Sequence, residues 1–123
     1  MSSETVLYTT LKGNAGVTAY IGTGDSARIY PDVVPQTITG SSIAYQRVGT
    51  EPIATVHTSV PLGAFATIEV WCMTTRRIEA EALADAAQAA LGGAQFALVD
   101  RRVEYDHDNE LWAAVLTVRH FST

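Results

Sequence analysis

Between Gly63 and Met73 apolar positions occupy both alternating registers of an extended chain. Ala64, Ala66, Ile68, Val70 and Cys72 share one face; Phe65, Thr67, Glu69, Trp71 and Met73 share the other. At Thr74 and Thr75 the period changes. Ile78, Ala82, Ala86 and then Ala90 or Leu91 recur at helical spacing, with Leu83 and Ala87 widening the stripe. Thr74 or Thr75 serves as the N-cap, and Gly92-Gly93 marks the stop. Arg76 and Arg77 in the first turn oppose the helix dipole, and no glutamate sits at the capping-box position, so the stop is better marked than the start. One helix layer leaves Phe65, Trp71 and Met73 without cover. Either more of the same core or another subunit must supply it.

Before this unit, Ser2 or Ser3 caps a helix through about Leu11 with Val6, Leu7, Thr10 and Leu11 on its apolar face. Gly13-Asn14 breaks it, and a short second helix runs from Ala15 to Ile21, stopped by Gly22. Arg28-Ile29-Tyr30 is a short extended piece ended by Pro31, and Pro31 and Pro35 bracket a connector to Gly40. Ser42 to Val48 alternates as a strand, Ile43, Tyr45 and Arg47 against Ala44, Gln46 and Val48. Residues 49–62 carry two prolines and a weak alternation, and read as a mobile hairpin or an arm. After the long helix, Phe96 to Tyr105 and Leu111 to Phe121 form a hairpin about the Asp106–Asn109 turn. Ala97, Val99, Val103 and Tyr105 alternate in its first arm. In its second, Trp112, Ala114, Leu116 and Val118 oppose Leu111, Ala113 and Val115, again with both faces apolar. These elements predict an α+β fold: an antiparallel sheet of about four strands with helices packed on one face, in a single domain over 1–123.

Composition narrows the class. At 123 residues, 47% hydrophobic and 17% charged, the chain has the make-up of a folded unit with one core. No apolar run approaches the roughly 20 residues of a membrane span, and the N-terminus lacks the basic start and apolar block of a secretory signal. Cys72, the one cysteine, reads as a small buried hydrophobe, in keeping with synthesis in a reducing cytoplasm. Thirteen acidic and eight basic residues give a net charge of −5, and no basic cluster exceeds a pair. That argues against a surface built to grip nucleic acid.

Candidate chemistry is sparse. His57, His107 and His120 have no partner at metal-ligand spacing. Glu104, Asp106, Asp108 and Glu110 form an acidic turn, but Leu111 and Thr117 occupy the positions where a calcium loop needs glycine and glutamate. Gly40-Ser41-Ser42 lacks the frame of a nucleophile elbow, and Gly22–Asp25 is a turn without the lysine-serine pair of a phosphate loop. Glu69 beside Trp71 suits a cleft carboxylate or, more simply, an ion pair with Arg47 or Arg102. No enzyme, metal or cofactor is expected. A small dimeric ligand-binding α+β domain, with a pocket between sheet and helix near Glu69 and Trp71, is the reading from a different class.

The order of these pieces resembles a known family. Leu7 and Leu11, then Val17 to Gly22, are followed by Arg28-Ile29-Tyr30-Pro31, Pro35 and Ile43-Ala44-Tyr45-Gln46-Arg47. A variable loop with Thr55 to Ser59 precedes Ile68-Glu69-Val70-Trp71-Cys72, then Glu81-Ala82-Leu83-Ala84-Asp85, Tyr105-Asp106 and Trp112 to His120. From about residue 5 to 121 this resembles the tail-terminator or tail-completion proteins of long-tailed bacteriophages and gene transfer agents.

The resemblance implies a mechanical role. Six copies would form a ring on the end of the tail tube, stop its growth at the length set by the tape-measure protein, and meet the head-tail connector or stopper protein. DNA would pass through without specific binding, and no membrane is involved. The location implied is the neck of the virion tail, assembled in the bacterial cytoplasm. Another head-tail neck component of similar size is the nearer alternative. Val56, His57, Thr58, Phe65, Trp71, Arg76, Arg77 and Trp112 are the expected contacts with other copies or with the tube.

Overall fold

A computed structural model describes residues 2–32, 40–54 and 61–122. Helices α1 (Ser3–Lys12) and α2 (Ala15–Ile21) lead into strands β1 (Ile29–Pro31), β2 (Ser42–Ala54) and β3 (Pro61–Thr74). Helix α3 (Arg77–Gly93) and strands β4 (Ala97–Asp106) and β5 (Leu111–Ser122) follow. The sheet order is β1-β2-β3-β5-β4. The four long strands pair antiparallel, and β1 adds a short fifth strand parallel to β2.

Local chemistry accounts for the first helices. Ser2 caps α1 by accepting the Thr5 N–H at 3.2 Å, and the Asn14 side chain caps α2 through the Val17 N–H at 3.1 Å. Gly22, at φ 92°, ends α2 in a conformation glycine adopts without a Cβ penalty. Arg28 then ties that end to the sheet, donating to the Tyr20 carbonyl at 2.8 Å and the Ser41 carbonyl at 2.7 Å.

The core lies between the helices and one face of the sheet. Leu7 and Leu11 of α1, Val17 and Ile21 of α2, and Leu83 and Leu91 of α3 close over Ile43, Ile68, Val70, Cys72, Ala114, Leu116 and Val118. Both alternations read in β3 and β5 hold. The even-numbered residues of β3 and β5 supply this layer, as their paired register requires. Complete burial pushes the Cys72 thiol up to about 12, so it behaves as a hydrophobe.

Four expectations change. The buried stripe of α3 is Ala80, Leu83, Ala84, Ala87 and Leu91, whereas Ile78 is 73% exposed. In an alanine-rich helix two adjacent stripes look alike, and the two leucines, with more surface to bury, decide which turns inward. Neither threonine caps α3: Arg76 stands at the N-cap with no side-chain cap, and Thr74 Oγ1 instead donates to the Arg76 carbonyl at 2.5 Å. In β4, Val99 falls out of register between Leu98 and Asp100, so it is 59% exposed and the alternation from Ala97 breaks there. Strand β2, expected to end at Val48, runs on to Ala54 and pairs with β3 through residues 49–54 and 61–62, part of the stretch read as a mobile hairpin or an arm; residues 55–60 lie outside the described segments.

Two side chains fasten helices to the far strands. Arg101 of β4 reaches α3, 2.8 Å from Asp85, 2.9 Å from Gln88 and 3.2 Å from the Glu81 carbonyl. Buried Ser3 places its Oγ 2.8 Å from Nδ1 of His120 on β5, whose ring stacks on Phe96 at 4.2 Å.

Leu83→Ala should lower unfolding free energy in urea by about 2–5 kcal/mol, whereas Ile78→Ala should shift it by no more than about 0.5 kcal/mol. Equal losses would contradict this placement of α3. Burial lowers the His120 pKa below 6.5, so the unfolded chain binds the proton more readily than the folded one. The contribution is present above pH 6.5 and lost as pH falls through the folded-state value. Wild type should therefore weaken on acidification more steeply than His120→Gln, with the difference opening below pH 6.5 in thermal melts.

Candidate assembly surface

The second face of the sheet carries no helix among the described residues, yet its middle is apolar. Pairing sets the rows. Ala44, Trp71, Val115 and Arg102 lie side by side across β2, β3, β5 and β4, and Ser42, Met73, Ala113 and Glu104 form the next row. Ala44 and Ala113 are each 5% exposed and Val115 is fully covered, although none belongs to the helix-covered core. Their neighbours on the face hide them; Trp71 and Met73 are half-buried. Trp71 and Met73, over these small buried side chains, form the apolar patch of this face, its dish.

Charged groups frame that dish in matched sets. Arg102 lies 2.8 Å from Glu104, 3.2 Å from Glu69 and 4.0 Å from Asp100, with its guanidinium carbon 5.5 Å from the centre of the Trp71 ring. The hydrogen bond to Glu104, and then that to Glu69, raise the Arg102 pKa above its already high value. The ion-pair reading of Glu69 holds, with Arg102 as its partner; Arg47 pairs with Glu4. Farther along the face, Arg119 sits 2.7 Å from Glu51 and 4.0 Å from the Phe65 ring centre, and Phe65 meets Phe121 edge-on at 5.3 Å. In these ion pairs four carboxylates stand against two guanidiniums, a net charge of −2.

The expected contact residues separate. Phe65 and Trp71 share the uncovered face. Arg76, Arg77 and Trp112 meet instead where α3 begins, on the helical side, with Arg77 5.6 Å over the Trp112 ring and Tyr105 against the same ring at 4.9 Å. Val56, His57 and Thr58 lie outside the described residues. Ala44, Ala113, Val115, Arg102 and Arg119 belong to the uncovered face and were not singled out as contacts. The apolar doubling of Leu111–Val115 was their signal, but which strands lie beside Trp71 depends on the pairing.

The pocket expected between sheet and helix near Glu69 and Trp71 does not form. Both side chains project from the opposite face, away from every helix. A cleft of about 250 Å³ lies elsewhere, lined by Glu4, Pro31, Asp32, Tyr45, Gln46 and Arg47. Among the described residues no cluster of three potential metal ligands occurs, and no helix is long and apolar enough to cross a membrane.

The sequence matches the family described as Tail completion protein gp17 over residues 5–122. The chain therefore belongs to that family of structural phage-tail proteins. Its fold is similar to a chain in a solved structure titled "Virion of native gene transfer agent (GTA) particle", with a TM-score of 0.76 and 17% identity. That match covers 98% of this chain and 93% of the other, and at such identity the likeness is one of fold. No curated protein matched by sequence.

Arg102→Ala should remove the cation over Trp71 and leave Glu69 without its partner. The site is partly exposed, so the loss should stay below about 1 kcal/mol, while Trp71 fluorescence responds. A loss above about 3 kcal/mol would show instead that the ion pair is buried.

Proposed function

We propose that this protein closes the tail: copies form a ring, six by resemblance to tail terminators, on the last ring of the tail tube. The ring stops tube growth at the length set by the tape-measure protein and presents its far side to the head-tail connector or stopper protein. It acts as one tail-terminator-like unit, assembled in the bacterial cytoplasm and carried in the neck of the particle. The long β2–β3 hairpin, with residues 49–62 at its end, serves as the arm that settles on the tube.

The observation that supports this most is the uncovered apolar face of the sheet in a member of a tail completion family. Burying half-exposed Phe65, Trp71 and Met73 against a neighbour contributes on the order of 1 kcal/mol each. Repeated around a ring, such contributions add to a stable assembly. The charge of the protein fits a conduit. With arginines on the uncovered face already held by carboxylates, and a net charge of −5, the chain offers DNA little to grip. Screening confines the repulsion to DNA within about 8 Å of the wall, so it keeps DNA mobile without opposing its approach from afar.

Removing the protein from a strain that makes the particle should give tails longer than normal and lacking heads, measured by negative-stain electron microscopy. Tails of normal length with attached heads would contradict the proposal.

A further inference from the structure

The chain carries a knob on one side of its sheet and the dish on the other. At the start of α3, Ile78 is 73% exposed, the most exposed large apolar side chain among the described residues. Arg76 and Arg77 precede it with side chains 70% and 58% exposed, and they hold Glu79 and Glu81, which follow it, only at 3.9 and 3.8 Å. Arg76 is an N-cap without a side-chain cap, so the positive end of the helix dipole also points outward there. On the opposite side the apolar surface of the dish is half-buried Trp71 and Met73, set over Ala44, Ala113 and Val115, which their neighbours already bury. Three carboxylates, Glu69, Asp100 and Glu104, share one guanidinium at its rim.

These two features set apolar side chains against apolar side chains, and well-exposed arginines against surplus carboxylate. An isoleucine preceded by two exposed arginines faces outward; half-buried Trp71 and Met73 beside surplus carboxylate lie on the reverse. One chain cannot bring them together, because the sheet lies between them. A two-fold contact needs both patches on one surface, and here they lie on opposite sides of the sheet. We propose that the Arg76–Ile78 turn of one copy docks in the Trp71–Met73 dish of the next copy, placing its arginines beside Glu104 and Glu69. The contact is head-to-tail, so every copy has one knob and one dish engaged when the rotation closes a ring. This names the surfaces of the ring proposed above and rests on that reading.

The test uses the full chain in sedimentation-velocity runs, with Ile78→Glu to disable the knob and Met73→Lys to disable the dish. Glu104→Arg, at an exposed rim position, serves as a second dish variant if Met73→Lys fails to fold by circular dichroism. Wild type should sediment as a ring, alone or on purified tail tubes, and each variant should fall to one chain mass or leave the tubes. An equimolar mixture of knob and dish variants retains one intact knob and one intact dish per pair, so it should stop at two chain masses. Variants that assemble like wild type, or a mixture that stays at one chain mass, would overturn the contact while leaving the ring reading standing. Wild type that remains monomeric both alone and with tubes would remove the ring reading and this contact together.

Discussion

A sheet with apolar side chains on both faces needs two covers, and among its described residues this chain supplies one. The other consequences follow from that asymmetry. Three helices bury Ile68, Val70, Cys72, Leu116 and Val118, while Trp71, Met73, Ala113 and Val115 face away from them. In an isolated molecule the second face is tolerable because it is partly self-covered. Arg102 lies over Trp71 and Arg119 over Phe65, each fixed by carboxylates, so the large rings are shaded by guanidinium groups rather than left bare. Such a surface is shaded in the single chain yet still has apolar area to lose on contact.

The scaffold behind this face is rigid where it needs to be. Arg101 fastens α3 to the edge strand, Arg28 joins α2 to the chain entering β2, and Ser3 with His120 holds the first turn of α1 against β5. These polar ties supplement the leucine, isoleucine and valine packing of the core. They fix where α3 begins relative to the sheet, and with it the relation between the helical side and the uncovered face.

Much of this was legible in the sequence, and the failures have physical causes. The alternation of residues 64–73 and 111–118 assigned both faces correctly, because those strands pair without a bulge over that span. It also showed that Phe65, Trp71 and Met73 would need cover. In β4 the same reasoning lost its phase at Val99, since a bulge is set by pairing and leaves little mark on polarity. For α3, alanine on several sides flattened the contrast, and Ile78 was placed inward although the leucines occupy the core. Pro52 and the threonines hid the extension of β2, which β3 stabilises through pairing. The grouping of Ala44, Ala113, Val115 and Arg102 around Trp71 needed strand order, which no local pattern contains. Family resemblance, carried by the order of weak motifs, survived all of these local errors because it did not depend on any one of them.

The account is tested most directly by light scattering after size exclusion, on the chain alone and then with its tail-tube protein. It predicts a discrete species near six chain masses, or short tubes capped at one end on mixing. A stable monomer or dimer indifferent to tube protein would contradict it.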